Sequence, residues 1–82
     1  MSDFKAGFLR IIRYPDFAAS LCYEEWVHID TIESVSISKY PRKPEYLSQI
    51  ETKGVFYQLI YCTSTVDDIL EYIDSFRKEL LP

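Results

Sequence analysis

The hydrophobic period of the chain changes from that of a strand to that of a helix just after Cys62, and this switch constrains the fold more than any other feature. From Thr65 onward the apolar residues fall at Val66, Ile69, Leu70, Ile73, Phe76 and Leu80. Spacings of three and four put them on one stripe of an α-helix that runs to Leu81. The opposite face carries Asp67, Asp68, Glu71, Asp74 and Lys78. Thr63, Ser64 and Thr65 offer hydroxyls for the N-cap, and the acids precede Arg77 and Lys78, the order that the helix dipole favours.

Before Cys62 the pattern alternates. Tyr46 to Thr52 and Val55 to Cys62 read as two strands joined at Lys53-Gly54, where Gly54 supplies the positive φ of a tight turn. A two-residue loop pairs Thr52 with Val55, Ile50 with Tyr57 and Tyr46 with Tyr61; a longer loop with a bulge is the alternative. In the two-residue register Tyr46, Ile50, Tyr57, Leu59 and Tyr61 share one face, and Leu47, Phe56 and Ile60 share the other with Gln49, Glu51 and Gln58. The second face is the more polar and is expected to point away from the helix.

Further upstream, Phe8 to Tyr14 is β-rich and ends at Pro15-Asp16. Phe17 to Glu25 is open between a helical turn and a strand. Trp26 to Ile29 reads as a strand that Asp30-Thr31 interrupts; Ile32 anchors a bend or bulge, and Val35 and Ile37 alternate with serines. Lys39 to Glu45 holds Pro41 and Pro44, neither of which can donate to a ladder, so this segment projects as a connection. The expected fold is α+β, an antiparallel sheet of about four strands packed against one C-terminal helix, in a single domain spanning residues 1–82.

The segment Trp26-Val-His-Ile-Asp-Thr-Ile-Glu-Ser-Val, the Gly turn, and Ser64-Thr-Val-Asp-Asp-Ile-Leu-Glu-Tyr-Ile-Asp resemble the layout of the small flagellar-operon family called FlbD, over about residues 26 to 80. Other small bacterial and phage proteins share this layout. The shared motifs are packing motifs, so the resemblance implies a fold and supplies no catalytic residue.

Several function classes are disfavoured. A net charge of −4 lacks the positive surface that non-specific nucleic-acid binding needs. No apolar run approaches the ~20 residues that span a bilayer, and Arg10 interrupts the apolar segment near the N-terminus, so a cytoplasmic protein without a signal peptide is expected. Cys22 and Cys62 are too few for a disulfide framework and lack metal or redox spacing; free thiols are the expectation. With a single His, His28, two separated Cys and no phosphate loop, the sequence offers no catalytic, cofactor or metal constellation, and a non-enzymatic protein is expected.

Three surfaces are candidates for binding. Asp67, Asp68, Glu71 and Asp74 form an acidic row that reads first as an ordinary solvated face complementing the helix dipole, the alternative being an imitation of a phosphate ladder. Lys39, Arg42 and Lys43, flanked by Tyr40 and Tyr46, form a basic loop with aromatic neighbours. The third is aromatic: 7 Tyr, 5 Phe and 1 Trp exceed what one small core holds, so part of them is expected on an exposed sheet face, with Trp26, Tyr40 and Phe56 as contact residues. The sequence therefore points to a protein-interaction module that binds a protein partner or itself, as a homodimer. The alternative is an acidic, phage-type inhibitor that acts at a nucleic-acid-processing enzyme.

Overall fold

The strand Phe8–Tyr14 (β2) organises the computed structural model, which describes residues 2–16, 20–54 and 58–80. Along one edge it pairs with Tyr23–His28 (β3), from Phe8 opposite His28 to Arg13 opposite Tyr23. The other edge is shared: Phe4–Lys5 (β1) takes its first residues, and Leu59–Cys62 (β6) takes Ile12 to Tyr14. Ile32–Ile37 (β4) and Ser48–Thr52 (β5) complete a six-stranded antiparallel sheet in which β5 joins β6 and β4 joins β5. The helix Val66–Leu80 (α1) follows.

β3 and β4 lie at opposite ends of the strand order, yet only the 3₁₀ turn Ile29–Thr31 separates them, so the sheet has to curl. Main-chain bonds hold this turn at the seam, with Ile29 N donating to the Gly7 carbonyl at 2.9 Å and Lys53 N to the Thr31 carbonyl at 2.9 Å. His28 caps it, its Nδ1 accepting from Asp30 N at 3.1 Å. The interruption read at Asp30-Thr31 is thus real, and a register shift between Ile32 and Ser34 marks the bulge beside Ile32. The sheet has six strands rather than about four, because this turn splits one expected strand in two and because β1 precedes the first expected one. β1 returns through Ala6 and Gly7, at φ 48° and 87°, the positive values that a two-residue hairpin needs.

The hairpin register differs from the two-residue reading. Tyr61 lies opposite Gln49 and not Tyr46, a shift of three positions, and Ser48 faces Cys62. An odd shift exchanges faces. Ile50 therefore joins Ile60 and Cys62 beneath the helix, in a core with Leu9, Ile11 and Ile69, and Ile60 is not on an outer face. Burial of these side chains under α1 outweighs the local preference for a tight turn at Lys53-Gly54. Val55, Phe56 and Tyr57 lie outside the described residues.

Helix α1 is capped by Thr65, whose hydroxyl accepts from Asp68 N at 3.1 Å. Ile69 is fully buried and Ile73 packs beside it, but Leu70 is 50% exposed. Tyr72 takes the inward position instead: its ring stacks on Phe4 with centroids 4.6 Å apart, and its hydroxyl accepts from Gly7 N at 2.6 Å. Thr63 and Ser64, the other two candidate caps, donate their hydroxyls to Asp3, which fills the gap between β1 and β6 along the edge of β2. Arg10 joins the same carboxylate at 2.8 Å.

Burial opposes the charged form of Asp3, but hydrogen bonds from Ser64, Thr63 and Arg10 together outweigh it and hold the carboxyl below its ordinary range. A depressed folded-state value gives stability that is complete above the unfolded value of about 3.9 and is lost as pH falls through the folded one. Asp3→Asn is expected to cost about 1–3 kcal/mol at neutral pH and to flatten this acid limb, as measured by urea melts from pH 7 downward. An unchanged acid limb in the variant would assign it to other carboxylates.

Candidate functional site: an aromatic groove on the outer sheet face

Residues of β2 alternate between the two sides of the sheet. Leu9 and Ile11 face α1, whereas Phe8, Arg10, Ile12 and Tyr14 face away from it. Part of this outer side is covered. Ile12, Tyr14, Tyr46 and Tyr61 make a second core there, with Tyr46 stacked on Tyr61 at 4.9 Å and its hydroxyl 3.3 Å from that of Tyr14. Burial, with the Tyr14 hydroxyl beside it, raises the Tyr46 phenol far above its ordinary range. The loop from Lys39 to Glu45 lies over this core, where the Arg42 guanidinium sits 4.2 Å from the centre of the Tyr14 ring. Three tyrosines of the aromatic excess are thus core residues.

The open part of the outer side lies at the other end of β2. Phe8 and Trp26, 40% and 41% exposed, line a shallow groove of about 320 Å³ with Lys5 and Ala6. Phe8 is held edge-on to His28 with centroids 5.2 Å apart, and His28 in turn meets Phe76 of α1 at 6.1 Å. Next to Trp26 across the strand pair stands Arg10. Its charge is spent within the molecule, on Asp3 and on Glu24 at 2.9 Å. A polyanion approaching Trp26 would meet a neutralised arginine and Glu24, with Lys5 the single cation of an otherwise apolar lining, so the groove favours a largely apolar occupant.

A second cleft, of about 400 Å³, separates β3 from the 39–45 loop; Ile12 and Tyr46 line it with Arg10, Cys22, Tyr23, Glu24, Lys43, Glu45 and Thr63. Cys22 is exposed there and Cys62 is buried, and both are free thiols. Burial pushes the Cys62 thiol up. Among the described residues no three His, Cys, Asp or Glu side chains cluster as a metal would need.

The residues singled out from the sequence fall at separate places. Trp26 lines the groove; Tyr40 is 90% exposed on the 39–45 loop and does not reach it; Phe56 lies outside the described residues. Lys39, Arg42 and Lys43 are all exposed, with the Arg42 guanidinium over the Tyr14 ring and Lys43 lining the cleft. Asp67, Asp68, Glu71 and Asp74 are all exposed on α1, and Asp74 pairs with Lys78 at 3.1 Å. Phe8 and the Asp3–Arg10–Glu24 chain were not legible as site features. The pairing of Phe8 with His28 and of Arg10 with Trp26 depends on where β3 begins, which the ambiguous stretch before Trp26 concealed.

Comparison with family models, with curated proteins and with solved structures gives no match for this chain. No helix among the described residues is long and apolar enough to cross a membrane.

Proposed function

We propose that this protein is a non-catalytic interaction module that acts in the cytoplasm and binds a protein partner through the Phe8–Trp26 groove. The observation that carries the reading is the exposure of two large aromatic side chains side by side on the outer face of the β2–β3 pair. Aromatic anchors of this kind supply much of the binding energy at protein interfaces, and the strand pair beneath them keeps the ordering cost low. The neutralisation of Arg10 supports a protein partner over nucleic acid. The exposed free thiol of Cys22 supports a reducing compartment.

Trp26 is the chain's sole tryptophan, so its fluorescence reports directly on the groove. A protein that binds there shifts the emission to the blue as it removes water from the indole. Capture from host lysate with the wild-type chain, compared with Phe8→Ala and Trp26→Ala, tests the assignment. The expected outcome is one partner enriched by the wild type and weakened at least about tenfold by either substitution, each of which removes an anchor worth about 1–3 kcal/mol. Thermal melts of both variants should stay near the wild type. A partner that is instead lost with Asp67→Ala and Glu71→Ala, and released steeply by salt, would move the function to the acidic helix face and to mimicry of a nucleic acid.

A further inference from the structure

β4 sits at the end of the strand order, and β5 is its sole strand neighbour among the described residues. Ser38 N donates to the Leu47 carbonyl of the β5 side, so the main-chain groups of Ser36 and Ser34 also point to β5 and those of Val35 and Ile37 point to the opposite edge. This edge has neither proline nor lysine within the strand, and its bulge lies between Ile32 and Ser34, ahead of the Ser34–Ile37 run that carries the outward groups. Its sequence continues as Glu33-Ser-Val-Ser-Ile-Ser-Lys39, which is symmetric in polarity about Ser36 and carries opposite charges at its ends.

We propose that two copies of this chain pair antiparallel through their β4 edges, with the two-fold axis at Ser36. In that register Val35 of one copy lies opposite Ile37 of the other, Ser34 opposite Ser38, and Glu33 opposite Lys39. The outward main-chain groups of Val35 and Ile37 then meet each other, as an antiparallel ladder requires. Each charged pair occurs twice, because a two-fold contact repeats every interaction. Glu33 and Lys39 are both exposed, and neither is in an ion pair among the described residues. Ile37, 73% exposed in the single chain, is covered by the second copy. Neighbouring registers that satisfy the same alternation fit less well: centring on Val35 sets Ile37 against Glu33, and centring on Ile37 sets Lys39 against Val35 and Ser36 against Ser38. This contact lies apart from the Phe8–Trp26 groove on β2 and β3, so the two assignments stand or fall separately.

Cross-linking reads the register directly. The two Ser36 residues face each other as a non-hydrogen-bonded pair, with Cα atoms about 4.5 Å apart, close enough for a disulfide. In a Cys22→Ser background, Ser36→Cys is expected to give a covalent dimer on mild oxidation, whereas Ser34→Cys, which faces Ser38, is not. Sedimentation equilibrium of the reduced protein supplies the second measurement. Glu33→Lys and Lys39→Glu should each weaken the dimer about tenfold, since both copies of the pair become repulsive, and the double variant should restore it. Ile37→Pro removes an outward N–H while sparing the β5 ladder, and is expected to leave a folded monomer. If that variant fails to fold, the charge exchange and the cross-links still decide. A wild-type chain that stays monomeric at millimolar concentration overturns the proposal, as does a dimer that cross-links equally at both positions or is not restored by the double charge exchange.

Discussion

Ile69→Ala is expected to lower the stability of the fold by about 2–5 kcal/mol, a large part of the about 5–15 kcal/mol that a domain of this kind has in total. Ile69 is fully buried where α1 meets Leu9, Ile11, Ile50, Ile60 and Cys62, so truncation leaves a cavity bounded by β2 and the β5–β6 hairpin, neither of which can close in without breaking its ladder. Leu70→Ala is the matched control. That side chain is half exposed, and its loss should cost under about 1 kcal/mol. Urea melts of the two variants measure the difference. Equal losses would mean that α1 is rotated by part of a turn from the orientation described.

The second large effect is expected at Gly7. Its φ of 87° is one that side-chain-bearing residues rarely adopt, and an added Cβ would stand 2.6 Å from the Phe76 ring. The residue is also held from both sides, its N–H by the Tyr72 hydroxyl and its carbonyl by Ile29 N. Gly7→Ala therefore combines a backbone cost of about 1–2 kcal/mol with an overpacking cost of about 1–3 kcal/mol. Gly54→Ala isolates the first of these, because Gly54 has φ 74° and nothing within 4 Å of the added atom. Shortening Phe76 to Leu should recover the clash component in a double-mutant cycle and leave the backbone component untouched. Additive losses at positions 7 and 76 would show that the ring gives way without cost.

This glycine shows where the aromatic groove is anchored. Gly7 joins β1 to β2, lies under the Phe76 ring, and stands next to Phe8 at the rim of the aromatic groove. The groove thus depends on a close approach between the first hairpin and the last helix, which are separated by most of the chain.

Much of the architecture was legible in the sequence because it rests on local period. Strand β2 runs from Phe8 to Tyr14 as the β-rich run indicated, the helix occupies the stretch of three-and-four spacing, and the prolines at positions 41 and 44 sit in a connection. The acids on α1 are solvated because the helix dipole and the apolar stripe agree on their side. Other features were decided only in three dimensions. The hairpin register followed burial of Ile50, Ile60 and Cys62 under α1, which no turn residue encodes. The inward place of Tyr72 over Leu70 came from two distant partners, Phe4 and Gly7. The exposed aromatic groove arose by subtraction: a sheet has two faces, period two fills both with apolar side chains, and the one left open is whichever the helix and the 39–45 loop do not cover. Alternation along a strand is set by local backbone geometry, whereas the covering of a face is a contact between segments far apart in the chain, and that is why the first could be read from the sequence and the second could not.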